Sequence, residues 1–180
     1  MRENLFLDGC AMLRKFFSWL RKPLPNVVYM EMRGQMFRLN PEKVGIKRAN
    51  DQTKVWGVMT EFTVDDGYVT MVSLANGRTY MYFSSGSGIL GAGDYSMVSI
   101  ASAELVKTAE RFVSLMKPTK GHPFPSPGHT RFYIMTYDGI YTREVLESQM
   151  DGEHTNAMYG LYAFTQNVIT QIRLISSRSK

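Results

Sequence analysis

Apolar and polar residues alternate from Val55 to Phe83, and apolar residues then recur every three or four positions from Val98 to Met116. The first pattern predicts two-faced β-strands and the second an amphipathic helix. Asp65-Asp66-Gly67 and Asn76-Gly77 divide the alternating stretch into three consecutive antiparallel strands. A three-residue loop ending in glycine suits a type I turn with a bulge, and Asn-Gly suits a two-residue type I′ turn. These readings put Val64 opposite Tyr68 and Leu74 opposite Thr79. Trp56, Val58, Thr60, Phe62 and Val64 then share a face with Tyr68, Thr70, Val72, Leu74, Met81 and Phe83, the predicted core. Met59, Glu61, Thr63, Met71, Ser73, Arg78, Tyr80 and Tyr82 fall on the other face, which is mixed rather than polar.

The flanking segments follow from the same rules. Residues 4–21 read as a helix, with Phe6, Cys10, Leu13, Phe17 and Leu20 on one stripe and Leu5, Met12, Phe16 and Trp19 widening it. Arg14, Lys15, Ser18, Arg21 and Lys22 lie largely opposite, and Pro23 and Pro25 stop the helix. A strand is expected at Val27–Met32, with a shorter one near Gln35–Leu39 across Gly34, and residues 40–54 read as loop. The second helix runs from about Met97 to Met116, capped by Asp94, Ser96 or Ser99. A proline-rich loop (117–128) leads to a hairpin of His129–Tyr137 and Ile140–Val145 turning at Asp138-Gly139. A closing helix spans roughly Asn156–Ser176, and no internal repeat is visible.

Strands joined by hairpins and flanked by helices predict an α+β fold. The expected fold is an antiparallel sheet of about five to seven strands (hairpin, three-strand meander, hairpin) against two or three helices. By element order alone this resembles profilin-like or Roadblock-like sheet modules, a likeness that implies nothing about function. Residues 1–24 form a basic amphipathic unit and residues 25–180 a single domain.

Composition adds little. The net charge of +5 permits an anionic partner. Much of it is local, because residues 1–24 hold Arg2, Arg14, Lys15, Arg21 and Lys22 against Glu3 and Asp8. Cys10 is the single cysteine, which excludes an intrachain disulfide framework. Asp8, Arg14 and Lys15 interrupt the first apolar stretch, so neither a secretory signal nor a bilayer span is expected there. The expectation is a cytoplasmic protein, with residues 4–21 able to lie on an anionic membrane surface.

The chemical motifs are weak. Gly86-Ser87-Gly88-Ile89-Leu90-Gly91 matches G-x-G-x-x-G, with Gly93 close behind. A dinucleotide site needs that motif in a parallel βαβ unit, whereas here it follows the third strand of a meander. A residual reading keeps the Gly86–Gly93 amides as an anion site, with His122 and His129 across a pocket. No histidine pair has metal-ligand spacing, and His154 follows Glu153 in a loop. The Ser-x-x-Lys matches at Ser114 and Ser177 fall at helix ends among common residues. No cofactor is implied. Arg78, Tyr80 and Tyr82 on one strand and Arg131, Tyr133 and Tyr137 on another could stack bases, but helices over that surface are the simpler expectation and make nucleic acid a poor partner.

The reading that remains is a non-enzymatic interaction or assembly module, self-associating as a homodimer or binding another protein. Met59, Met71, Tyr80 and Tyr82 on the sheet, with Phe16, Phe17 and Trp19 on the first helix, are its expected contacts. A small-ligand or anion-binding domain using the Gly86–Gly93 loop, and possibly catalytic, is the alternative.

Overall fold

The alternating stretch forms β1 (Val55–Val64), β2 (Gly67–Leu74) and β3 (Thr79–Phe83), followed by a two-residue strand β4 (Gly88–Ile89). The downstream segments add β5 (Lys117–Thr119), β6 (His129–Thr136) and β7 (Gly139–Leu146). The structure, a computed structural model, describes residues 24–48, 54–65, 67–150 and 156–178. All pairings are antiparallel and give one seven-stranded sheet in the order β4-β3-β2-β1-β6-β7-β5. Three helices pack on it: α1 (Val27–Phe37), α2 (Ser96–Ala109) and α3 (Tyr159–Arg178). The α+β class and the strand number expected from the sequence are borne out.

Both faces of the sheet are covered. On one, Val58, Met71, Met81, Phe132 and Ile134 meet Val98, Leu105 and Ala109 of α2 and Leu161, Val168 and Ile172 of α3. On the other, Met59, Val72, Leu74, Tyr82, Tyr133 and Met135 meet Tyr29 of α1 and Ile46. Each fully buried side chain of this size contributes about 1.5–3 kcal/mol relative to exposure. A sheet buried on both sides explains why the second face is mixed rather than polar.

Three expectations are corrected. Val27–Met32 and Gln35–Leu39 are not strands but the single helix α1. Asn26 caps it by accepting from the Val28 amide at 2.8 Å, and its buried residues Tyr29 and Arg33 stand one turn apart. The local β-branched start was overridden by what these two side chains reach on the sheet.

The second correction is register. Val64 pairs with Gly67, not Tyr68, so two residues separate the strands; Asp65 takes the positive φ of 28°. Ser73 pairs with Thr79, and Ala75, Asn76 and Gly77 form a three-residue loop in which Gly77 has φ 81°. The two loop lengths are thus interchanged relative to expectation. Each one-residue slip flips a strand. The first slip puts Val69, Met71 and Ser73 of β2 beside Val58, Thr60 and Phe62, and the second restores Met81 and Phe83 to that same side. A bulge between Val55 and Gly57 turns Trp56 to the α1 side. Phe62 and Phe83 therefore share a face, but Trp56 and Val72 lie on the other.

Third, Met59 and Met71 are wholly buried and Tyr82 is 2% exposed, all within this chain, so they offer no contact surface; Tyr80 is half-buried. Smaller shifts occur at helix ends. The second helix is α-helical only to Ala109 and continues as a 3-10 turn over Glu110–Leu115, and its N-cap Tyr95 makes no side-chain cap bond. The proline-rich loop contains β5. The predicted helix at 4–21, with Cys10, Phe16, Phe17 and Trp19, lies outside the described residues, as does His154.

Candidate functional site

The α1 face carries a polar row across four strands, charged on three of them. Thr70, Glu61, Arg131 and Glu144 are successive cross-strand partners on β2, β1, β6 and β7. Arg33 descends from α1 onto Glu61, with Nε donating to Oε1 at 2.6 Å and Nη2 to Oε2 at 2.8 Å. Thr70 also donates to Glu61 Oε1, at 2.9 Å, so the Tyr29 hydroxyl, 2.7 Å from Thr70 Oγ1, must be the donor there. Arg131 pairs with Glu144 at 3.0 Å. Burial lowers the tendency of Arg33 to stay charged, but the hydrogen bonds and charge of Glu61 outweigh it, and the net shift is upward. Burial, then the Glu61 charge, raises Tyr29 and Tyr133 above the ordinary phenol range.

The proline-rich loop is strapped over this row. Arg33 Nη2 also donates to the carbonyl of His122 at 2.8 Å, Tyr133 donates to the carbonyl of Pro123, and the Ser126 amide donates to Glu144 at 2.6 Å. Phe124 stacks on Tyr68 at 4.4 Å, with the Arg33 guanidinium 4.1 Å from its centroid. His122 stacks on Phe37 at 3.7 Å, and its buried Nε2 has no hydrogen-bond partner among the described residues. Burial first, and then the Arg33 charge, lowers the His122 pKa. Glu61 is wholly buried with both oxygens engaged, so this network is suited to holding α1 and the loop in place, not to moving protons.

The opposite face leaves room. Between β1–β4 and α3 lies a groove of about 540 Å³ walled by Phe62, Val69, Phe83, Ile89, Tyr162 and Ile169. Thr63, Glu147, Gln166, Arg173 and Ser176 supply its polar positions. A second hollow of about 490 Å³ shares Val64 and Phe83 with the first and continues round the β1–β2 hairpin to Tyr68 and Leu24. Leu24 is 92% exposed there, an apolar side chain at the start of the described chain.

The residues expected to form an anion site do not converge. His122 stacks beneath α1, His129 sits at the start of β6 with Nδ1 2.9 Å from the Pro127 carbonyl, and Ile89 of the glycine loop lines the groove on the opposite face. The glycines have local reasons. Gly86 has φ 97°, and a Cβ on Gly93 would fall 2.3 Å from the Gly77 carbonyl oxygen. Gly88 belongs to β4, Gly91 precedes a 3-10 turn, and Ser87 accepts from the Phe83 amide through its carbonyl. The Gly86 amide itself donates to Phe83. Tyr82 and Tyr133 lie under α1 and the loop, closing the base-stacking surface. Among the described residues no three His, Cys, Asp or Glu side chains are placed to hold a metal ion, and no helix is long and apolar enough to cross a membrane.

The residues missed by sequence were Arg33 and Glu61 as partners, and the groove. Arg33 and Glu61 are 28 positions apart, so only a helical reading of Tyr29, Arg33 and Phe37 at four-residue spacing could have flagged the first. The groove depends on where α3 crosses the sheet, which no local pattern encodes. Compared with family models, with curated proteins and with solved structures, the chain shows no match, and the profilin- and Roadblock-like likeness in element order gains no support from them.

Proposed function

We propose that the protein is a non-enzymatic interaction module that binds an amphipathic protein helix in the groove between α3 and β1–β4. The groove itself supports this reading most directly: about 540 Å³ of mostly apolar wall between α3 and the sheet. Helix-in-groove recognition requires an apolar trough that accepts side chains spaced one turn apart, with polar groups at its margins. Phe83, Ile89, Tyr162 and Ile169 are half-buried and serve as the trough, Glu147 and Arg173 give it one charge of each sign, and Asp65 lines the adjoining hollow. The partner chemistry that fits is an apolar stripe with a lysine or arginine placed toward Glu147 and Asp65.

A titration tests it. A synthetic helical peptide with leucine on one face and lysine on the other, added in excess to the full chain, is expected to shift the methyl resonances of Val69, Ile89 and Ile169 saturably. The shifts should vanish in an Ile169→Asp variant whose Leu105 and Ile134 signals are unchanged. Shifts scattered over the surface, or none, would count against the reading.

A small amphiphile is the second reading, because the groove volume also lies within the range of small-molecule sites, about 300–1,000 Å³. The continuation of the groove into a second hollow favours the longer occupant.

A further inference from the structure

We infer that the groove is occupied by the chain's own residues 4–21, so that binding of a partner must displace an internal competitor. This rests on the groove being a helix seat, and it names the occupant and the regulation of that seat.

The first observation is where the described chain begins. The Asn26 amide donates to the Ser84 carbonyl at 2.8 Å, tying the chain to the end of β3. Leu24 lies in the hollow that wraps the β1–β2 hairpin, and this hollow shares Val64 and Phe83 with the groove. A segment entering at Leu24 therefore starts at the groove's own mouth. Only residues 21–23 separate Leu24 from Leu20, the last residue of the amphipathic stripe.

Length is the second observation. The stripe Phe6, Cys10, Leu13, Phe17 and Leu20 spans 15 residues, about 21 Å from first to last as a helix. The α3 residues that line the groove, Tyr162 to Ser176, also span 15 residues and so about 21 Å from first to last. Stripe and wall are the same length. The stripe offers Phe and Leu at one-turn intervals to Phe83, Ile89, Tyr162 and Ile169.

Charge is the third. Asp65 lines the hollow beside Leu24, and Arg21 and Lys22 immediately precede it in the chain. Glu147 lines the groove together with Arg173, and the stripe's opposite side carries Arg14 and Lys15. Exposed pairs of this kind add little affinity, but they set which way a helix lies. Tethering contributes more: a segment joined by a short linker is held at an effective concentration near millimolar, enough to favour a seat of modest intrinsic affinity.

The test uses the full chain. Cys10 is the single cysteine, so a Cys10→Ser, Ser18→Cys variant carries one nitroxide on the polar side of the stripe. Seating in the groove predicts loss of the Val69, Ile89, Ile169 and Ile172 methyl signals, recovered when the nitroxide is reduced and when the leucine–lysine peptide is added in excess. Signals of the α1 face, such as Ile46 and Ile140, should persist. No loss at the groove methyls overturns the inference. Loss appearing instead in a mixture of isotope-labelled chains without nitroxide and nitroxide-bearing chains without isotope also overturns it, since the segment would then seat in a second copy. A Leu13→Glu, Phe17→Glu variant separates this failure from that of the proposed function. If the peptide still shifts the groove methyls in that variant while the nitroxide leaves them sharp in the full chain, the seat is real and its occupant is not residues 4–21. If the peptide shifts nothing, the helix seat itself is wrong.

Discussion

The two faces of the sheet use buried space in opposite ways. Beneath α1, the row Arg33, Glu61, Arg131 and Glu144 is joined by ion pairs, and Arg33 and Glu144 also hold the loop through hydrogen bonds to its backbone. Beneath α2 and α3, the buried polar groups are uncharged hydroxyls such as Thr60, Thr79, Ser102 and Thr165 among apolar neighbours, and the two helices leave the Phe62–Val69–Phe83 end of the sheet partly open. The difference separates placement from binding. A polar network is directional and fixes one arrangement of α1 and its strap, whereas apolar packing is indifferent to partner and leaves a trough that another apolar surface can fill.

The contrast predicts unequal responses to mutation. Glu61→Ala leaves Arg33 buried beside Thr70 with no carboxylate, and removing one partner of such a pair costs about 3–5 kcal/mol. Chemical denaturation should show that loss, and Arg33→Met combined with Glu61→Leu should recover most of it. Recovery absent from the double variant would mean that the pair does more than neutralise itself.

The next largest effect comes from making the same change on each face. Thr70→Val strands the Tyr29 hydroxyl and removes one donor from Glu61, at a cost of about 1–3 kcal/mol. Thr60, equally buried on the α3 side, makes one long contact of 3.4 Å with Thr165, which keeps its own bond to the Leu161 carbonyl. Thr60→Val should therefore stay within about 1 kcal/mol of the parent. Equal costs in the two variants would erase the distinction between the faces.

The smallest effect is on pH dependence. His122 has a lowered pKa in the folded chain, so between that value and the ordinary histidine value the unfolded chain binds more protons. Its contribution to stability is fully present above about pH 6.5 and is lost as pH falls through the folded value. His122→Phe keeps the stack on Phe37 and should flatten the stability profile between neutral and mildly acidic pH, read by urea midpoints at each pH.

Much of the fold was legible because it is written in short range. The hairpin His129–Leu146, the helix beginning near Val98 and the closing helix follow from alternation and three-four spacing. The faces of β2 were not, because both glycines near the first two turns are consistent with either loop length. Gly67 is required for close approach rather than for a turn angle, since a Cβ there would fall 2.2 Å from Ser84 Oγ. The helix α1 was hidden by valines at its start, and only its contacts with Glu61 and Thr70 decide it. Of the candidate site, Ile89 came within the predicted loop, but the trough around it is assembled from β1, β2, β3 and α3 and has no signature in any one of them.

The margins of the sheet carry a consequence of their own. β4 is two residues long, and β5 is three residues with Pro118 at its centre, so neither outer strand offers the run of free amides that a further strand would need for annealing. Strand addition onto β4 or β5 is therefore disfavoured.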